Sequence, residues 1–207
     1  MAATRRIILV RHGQTDWNVE RRIQGGGSNP PLNDTGRRQA QNIARRLASE
    51  TVGAIYSTPL QRGRDTARAI AQHHGLEVHT EPALREIEAG QLEGVTLAEL
   101  GHHFSKLLVS YDGDKLEYTR APGGETLPEV QQRGWGAVQR LAAKHPGGSL
   151  VLVSHYFVIM SIVCSVLGLP LSQISRLRLS TGSISIFSLD GNEVRLELFN
   201  DIGCPTG

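Results

Sequence analysis

Residues 7–13 read Ile-Ile-Leu-Val-Arg-His-Gly, and this stretch decides the predicted fold. Four consecutive apolar residues are typical of a strand that is buried on both of its faces. Such strands form open α/β sheets, in which ligands bind beyond the carboxyl ends of the strands. We therefore expect Arg11 and His12, which follow the apolar run, to lie at a binding site.

The size and charge of the chain restrict its class. With 207 residues it is long enough for one well-packed domain, and we expect a single domain over residues 1–207. A formal net charge of only +2 argues against a protein that binds nucleic acid or a membrane surface. Residues 156–169 form the longest apolar stretch, but a bilayer-spanning helix needs ~20 residues, so we predict a buried helix there.

Two observations predict a cytoplasmic protein. The residues after Met1 lack the apolar region and cleavage site of a secretory signal. The two cysteines, Cys164 and Cys204, show neither a disulfide framework nor the spacing of metal ligands, which favours a reducing compartment.

Hydrophobic periodicity predicts strands that alternate with helices along the chain. The predicted elements, in order, are a strand at 7–10, a helix from near Thr35 capped by Asn33 or Asp34, a strand at 52–57, a helix from Thr58-Pro59 to Gly75, a helix at 126–144, a strand at 149–153, a helix at 156–169, and strands at 183–189 and 193–199. Glycines interrupt residues 90–125, which predicts an insertion with a helix from about Thr96 to Val109. This order predicts an α/β fold, a three-layer α/β/α sandwich with a mostly parallel central sheet, a C-terminal β-hairpin, and a helical insertion over the active site.

Polar residues follow three of the predicted strands. Arg11 and His12 follow the first, Arg62 comes soon after the second, and His155 follows the strand at 149–153. Each has a plain structural explanation by itself, such as a salt bridge for Arg11. Because parallel strands end at the same edge of a sheet, we expect these four side chains in one pocket. Such a cationic pocket suits a tetrahedral oxyanion.

The segments that carry these residues resemble, in chain order, the motifs of the histidine phosphatase superfamily, the phosphoglycerate mutase-like proteins with an Arg-His-Gly motif. The matching segments are Leu-Val-Arg-His-Gly-Gln-Thr-Asp-Trp-Asn at 9–18, Ser-Thr-Pro-Leu-Gln-Arg at 57–62, Leu-Arg-Glu-Ile at 84–87 and Val-Ser-His at 153–155. The resemblance implies that His12 is the nucleophile and forms a phosphohistidine, while its other ring nitrogen donates to a backbone carbonyl.

The resemblance also implies roles for the other site residues. Arg11, Arg62 and His155 would hold the phosphate oxygens, with Asn18 as a neutral donor, so that no metal and no other cofactor is required. Glu86 would protonate the leaving oxygen and then activate water. Glu88 stays an alternative, because residues two apart share a face in an extended chain.

Two further positions are expected to bind the substrate. Gln24 is a candidate contact at the rim of the pocket, although an ordinary loop role explains it almost as well. Tyr156 stands where the family usually has a glycine after the second histidine. Its side chain is therefore expected to shape the substrate pocket, unless it packs against the insertion.

The resemblance leaves three functions to distinguish. Mutases of the family carry a tyrosine pair and adjacent arginines, whereas residues 85–90 contain no tyrosine and the insertion has only Lys106, Lys115 and Arg120. Pro-Gly-Gly-Glu-Thr at 122–126 instead resembles the phosphatase branch. A non-catalytic binding module would be expected to lack one of the five residues given catalytic roles, all of which are present.

We therefore expect a metal-independent phosphatase that hydrolyses small phosphomonoesters through a phosphohistidine at His12, with a phosphoglycerate mutase as the alternative. The expected partner is a small phosphorylated metabolite, such as phosphoserine, a phosphoglycerate or a sugar phosphate, and neither a nucleic acid nor a membrane. The sequence does not decide the oligomeric state, and a homodimer stays open.

Overall fold

The computed structural model describes residues 4–100, 120–191 and 193–203. In these residues six strands form one sheet in the order β3-β2-β4-β1-β5-β6. The strands are β1 (Arg5–Arg11), β2 (Val52–Ser57), β3 (Val78–Thr80), β4 (Ser149–Ser154), β5 (Ile184–Asp190) and β6 (Glu193–Asp201). The α-helices bounded within the described residues are α1 (Asp16–Val19), α2 (Asp34–Leu47), α3 (Gln61–His74), α4 (Leu127–Lys144) and α5 (Tyr156–Leu167).

The sheet is mostly parallel, as predicted. Strands β3, β2, β4 and β1 run parallel to one another, while β5 pairs antiparallel with both β1 and β6. The register pairs Ile7 with Leu150 and Arg11 with Ser154. The carboxyl ends of β1 and β4 therefore lie side by side at one edge, and the antiparallel pair forms the predicted C-terminal hairpin.

Strand β1 is buried on both faces, which explains its continuous apolar sequence. Ile7 and Leu9 pack in a core with α4 and α5, whereas Ile8 and Val10 pack in a second core with α2 and α3. All four side chains are 0–1% exposed. Because successive side chains of a strand point to opposite faces, helices must cover both sides, and the three-layer α/β/α sandwich is confirmed.

Helix α3 begins later than the Thr58-Pro59 start predicted from the sequence. Its first residue is Gln61, and the preceding Leu60 has an extended backbone with no side-chain cap of its own. The amide of Gln61 instead donates to Asn29 Oδ1 at 2.7 Å. The cap therefore comes from a loop 32 residues away in the sequence, a partner that local patterns do not reveal.

The sequence patterns did not predict two short elements. Helix α1 is a single turn closed by a capping box between Thr15 and Asn18, and β3 is a three-residue strand at the sheet edge. Gly75 ends α3 in the left-handed conformation, as predicted.

Much of the predicted insertion at residues 90–125 falls outside the described residues. Its predicted helix begins within them, since residues 97–100 are helical, but Lys106 and Lys115 lie outside. None of the helices in the described part of the chain is long and apolar enough to cross a membrane.

Candidate active site

Arg11, His12 and His155 lie together at the carboxyl ends of β1 and β4. Arg11 is the last residue of β1, and the amide of His12 continues the pairing by donating to Ser154 O at 3.1 Å. His155 follows β4 directly and precedes α5. The centroids of the His12 and His155 rings are 4.9 Å apart. The sheet register thus brings two sequence-distant histidines into contact.

His12 is oriented and kept neutral by its surroundings. Its Nδ1 lies 2.7 Å from Gly13 O, and because a carbonyl oxygen only accepts, Nδ1 carries the proton and Nε2 the lone pair. The residue is 3% exposed. Burial, followed by the charges of Arg62 and Arg11, holds the pKa of His12 well below its ordinary value. A neutral imidazole with a free lone pair is the form that can act as a nucleophile.

His155 is wholly buried with neither ring nitrogen hydrogen-bonded. Burial, and then the neighbouring charge of Arg62, keeps the pKa of His155 well below its ordinary value. The sequence predicted a cationic pocket that included His155, whereas the direction of this shift favours the neutral ring. A bound dianion would reverse that preference, because an opposite charge nearby favours the protonated form.

Arg11 connects the strand end to Tyr156. Its Nη1 donates to Leu179 O at 2.7 Å, and its guanidinium carbon lies 5.2 Å from the centre of the Tyr156 ring. This is a cation–π geometry. Tyr156 in turn meets the ring of Phe157 edge to face, with centroids 5.1 Å apart. The tyrosine that replaces the usual glycine therefore lies against a predicted phosphate ligand.

Arg62 reaches the site from the first turn of α3. It is fully buried, and its Nη1 and Nη2 donate to Ser28 O and Gly25 O at 2.9 and 3.2 Å. Burial lowers the pKa of Arg62 to about 10, although the charges of Glu86 and Glu93 oppose that shift. The guanidinium is thus held in one orientation by loop carbonyls, and its charge is coupled to both glutamates.

The loop that accepts from Arg62, residues 25–28, is itself held by Glu93. The two carboxylate oxygens of Glu93 accept from the amides of Gly25 and Gly27, each at 3.0 Å. A side chain at Gly25 would overlap the Glu93 carboxylate, so the close approach requires glycine there. Glu93 was not among the site residues predicted from the sequence.

Glu86 and Glu88 occupy different environments. Glu86 is 4% exposed, and its carboxylate accepts from the amides of Ile87 at 3.0 Å and Phe157 at 3.2 Å. Burial raises the pKa of Glu86 above its ordinary value, against these hydrogen bonds and the charges of both arginines. Glu88 is 36% exposed at its side chain and lies 3.4 Å from Arg85. Only Glu86 therefore combines burial with coupling to Arg11 and Arg62.

The backbone of residues 83–88 is held by an ion pair that the sequence analysis did not recognise. Arg133 on α4 donates to the carbonyl oxygens of Ala83, Arg85 and Glu86. It also forms a two-bond ion pair with Glu125. Arginine on an amphipathic helix usually indicates a solvent-facing position, so periodicity did not single out Arg133.

Asn18 and Gln24 are linked by hydrogen bonds that both side chains accept from Thr15. Asn18 Oδ1 accepts from the Thr15 amide at 2.9 Å, and Gln24 Oε1 accepts from the Thr15 hydroxyl at 2.8 Å. Both amide oxygens are thereby engaged. The Nδ2 and Nε2 groups are left as the donors that could reach a ligand.

Buried nitrogens without a partner are concentrated at this site. Of the residues described, those with such atoms are Arg6, Arg11, Gln24, Arg62, His74 and His155. Four of these six residues are predicted site residues. An unpaired buried donor costs about 1–3 kcal/mol, so a ligand that accepts from several of them would be strongly favoured. The arrangement suits an anion with several oxygens. Within the described ranges, no three His, Cys, Asp or Glu side chains converge as a metal site would require.

Comparison with known proteins agrees with this geometry. Residues 7–202 match the histidine phosphatase superfamily (branch 1). The chain is 40% identical over 182 residues to a probable phosphoglycerate mutase GpmB of Cronobacter sakazakii, covering 86% of this chain and 82% of the relative.

Two solved structures are similar over nearly the whole chain. A mycobacterial glucosyl-3-phosphoglycerate phosphatase in complex with VO3 superposes with a TM-score of 0.83 at 31% identity, covering 95% of this chain and 98% of that one. A mutant phosphoserine phosphatase of Entamoeba histolytica in complex with phosphoserine gives 0.81 at 28% identity, covering 95% and 97%. The family match over residues 7–202 and the identity to these relatives show that the chain belongs to the histidine phosphatase superfamily.

Proposed function

We propose that this protein is a phosphatase that hydrolyses small phosphomonoesters through a phosphohistidine at His12, without a metal ion. The observation that carries the proposal is the neutral His12 with its Nδ1 proton donated to Gly13 O, beside Arg11 and the fully buried Arg62. Phosphoryl transfer needs mainly positioning and charge stabilisation, and this group of residues can supply both.

The proposed first step is attack of His12 Nε2 on phosphorus. A P–N bond forms while the P–O bond to the leaving group breaks, and Arg11 and Arg62 stabilise the charge on the phosphoryl oxygens. Glu86 gives its proton to the leaving oxygen, so that an alcohol departs. The raised pKa of Glu86 supports this role, because it favours a carboxyl group that still holds its proton.

In the proposed second step, water hydrolyses the phosphohistidine. Glu86, now ionised, accepts a proton from the attacking water, and the P–N bond breaks to restore neutral His12. Inorganic phosphate leaves as the product. The same carboxyl group acts as acid and then as base, which requires that it stay near both the leaving oxygen and the incoming water.

A mutase is the second candidate, favoured by the 40% identity to a protein named as a probable phosphoglycerate mutase. Hydrolysis is supported by the similarity to two structures named as phosphatases and by the lack of a tyrosine pair in residues 85–90. The proposed substrate is a small phosphorylated metabolite, with phosphoserine, phosphoglycerates and sugar phosphates as the classes to screen.

The proposal is tested with a chromogenic aryl phosphate in the presence of EDTA. Turnover is expected in the wild type and is expected to be abolished by His12→Ala, whereas His73→Ala, on the exposed side of α3, should leave it unchanged. Interconversion of phosphoglycerates with a bisphosphate primer, without hydrolysis, would instead establish the mutase. Inactivity of the folded wild type in both assays would refute catalysis.

A second pair of variants tests the choice of the proton donor. Glu86→Gln is expected to lower kcat/KM about 10²–10⁴-fold, the usual contribution of general acid–base catalysis. Glu88→Gln, two residues away and paired with Arg85, should change it less than about threefold, as a surface ion pair would. The reverse result would transfer the role to Glu88.

A further inference from the structure

The ion pair between Arg133 and Glu125 holds a segment that has no regular structure. Residues 85–88 belong to neither a helix nor a strand, so no ladder of backbone hydrogen bonds fixes their path. Arg133 Nη1 donates to Ala83 O at 2.7 Å and Arg85 O at 2.6 Å, and Nη2 donates to Glu86 O at 3.1 Å. One guanidinium thus binds three backbone carbonyl oxygens between residues 83 and 86.

Glu125 completes this arrangement from the other end of the segment. Its carboxylate takes two hydrogen bonds from Arg133, each at 2.9 Å, and also accepts from the Glu88 amide at 3.0 Å. Its own amide donates to Glu88 O at 2.8 Å. Burial alone would raise the pKa of Glu125, but the hydrogen bonds from Arg133 and Glu88 lower it overall. The carboxylate is therefore ionised at neutral pH and stays paired with the guanidinium.

The side chain of Glu86 projects from the middle of this held segment. Its carboxylate meets the amide of Phe157, at the start of α5 and directly after His155 and Tyr156. The carboxylate has no contact with Arg133, which touches only the backbone carbonyl of Glu86. Arg133 can therefore affect proton transfer through the position of Glu86, whereas its charge acts separately on His155, whose pKa it helps to lower.

We propose that Arg133, oriented by Glu125, is a positioning residue that sets the place of the Glu86 carboxyl group for proton transfer. The inference rests on the proposed phosphatase function. A shift of the segment by a fraction of an ångström would move the carboxyl group away from the leaving oxygen without disturbing Arg11, His12 or Arg62. Because kcat/KM covers the chemistry only up to formation of the phosphohistidine, its loss should appear only for substrates whose leaving group needs that proton.

The test compares two phosphomonoesters that differ in their need for that proton. Without protonation, the leaving group of an alkyl phosphate is a strongly basic alkoxide. The leaving group of 2,4-dinitrophenyl phosphate is a phenolate that is stable as an anion. In Arg133→Gln, kcat/KM for the alkyl phosphate is expected to fall about 10–100-fold, part of the full general-acid contribution. For the dinitrophenyl ester it should stay within about threefold of the wild type. In the plot of kcat against pH, the branch that reflects the ionisation of Glu86 should disappear.

Two further variants keep the test decisive. Glu125→Gln retains the shape of the pair but weakens it, so it should show the same selective loss at smaller size even if Arg133→Gln does not fold. Arg120→Gln removes the neighbouring exposed ion pair with Glu129 and should behave as the wild type. Equal losses on both esters, or an unchanged pH profile in a folded Glu125→Gln, would overturn the inference.

Failure of the proposed function is recognised separately. If the wild type shows no His12-dependent hydrolysis, the phosphatase proposal is refuted. The environment of the Glu86 carboxyl group is then followed by NMR titration of its labelled carboxyl carbon. Glu125→Gln should displace that titration and Arg120→Gln should not. An identical Glu86 titration in all three proteins would refute the positioning role independently of activity.

Discussion

Arg11 ends strand β1, and His12 and His155 directly follow β1 and β4, whereas the placement of Arg62 and Glu86 depends on loops. We call these the strand-end group and the loop group. The strand-end group is placed by the pairing of β1 with β4, which continues as the hydrogen bond from His12 N to Ser154 O. The loop group is placed by single side chains, with Glu93 holding residues 25–28 and Arg133 holding residues 83–86, and by isolated backbone hydrogen bonds such as that from Gly26 N to Ile87 O.

This difference has a physical consequence. Strand-end positions share their contacts with the core, so a change that displaces them also lowers the free energy of unfolding. Loop positions depend on a few hydrogen bonds, each contributing roughly 1 kcal/mol net, so they can move while the fold persists. Activity and stability should therefore fall together in one group and separately in the other.

The largest effect is expected for Gly13→Ala, next to His12. The added methyl group would overlap the backbone carbonyl of Gly36 in α2, and neither backbone can move without disturbing the core. We expect the free energy of unfolding, measured by urea denaturation, to fall by about 3 kcal/mol or more, with loss of activity.

Gly136→Ala provides the matched control, because a methyl group at that helical position meets nothing within 4 Å. It should leave the free energy of unfolding unchanged or raise it by up to about 1 kcal/mol, since alanine favours the helix. Equal destabilisation of both variants would show that the tight contact at Gly13 has no special importance.

The next effect is expected for Glu93→Gln in the loop group. The amide side chain retains only one acceptor for the two amides of Gly25 and Gly27, so the carbonyls that orient Arg62 should become less well ordered. We expect kcat/KM to fall about tenfold while the free energy of unfolding changes by less than about 1 kcal/mol.

Glu20→Gln, which removes an exposed ion pair with Arg22, serves as the control and should alter neither quantity. If Glu93→Gln lowers stability as much as Gly13→Ala does, the separation between the two groups is wrong. If it leaves kcat/KM at the wild-type level, residues 25–28 do not need this carboxylate.

The last effect concerns the pH dependence of stability. The pKa of His155 is well below its ordinary value in the folded protein, so below pH ~6.5 the unfolded chain binds a proton that the folded chain does not. Stability should therefore fall with decreasing pH until the folded-state pKa is reached. His155→Asn should reduce that slope by up to about 1.4 kcal/mol per pH unit.

The measurement is urea denaturation of both proteins between pH 5 and 8. Near pH 8, histidine is neutral in both states, so the difference between the proteins should be constant there. The raised pKa of Glu86 acts in the opposite direction, but it is present in both proteins and does not enter the difference. Identical slopes at low pH would mean that His155 is protonated in the folded state.

The sequence patterns succeeded where structure depends on neighbours in the chain. The apolar run at 7–10 predicted a strand buried on both faces, and Asn33 was among the predicted caps of α2 and does cap it. The same patterns placed the start of α3 too early, because its cap comes from Asn29 in another loop. They left the choice between Glu86 and Glu88 open, because residues two positions apart in an extended segment lie on the same face. Only the packing of neighbouring elements decides which of the two is buried.

The sequence by itself determined the layered α/β architecture and the set of candidate site residues, because the first follows from hydrophobic periodicity and the second from motifs at strand ends. Only the tertiary structure decided which glutamate is buried beside the arginines, how the Arg62 guanidinium is oriented, and which side chains hold the loops. Those outcomes depend on hydrogen bonds between residues far apart in the chain, such as Arg133 with Ala83, and no local pattern records them.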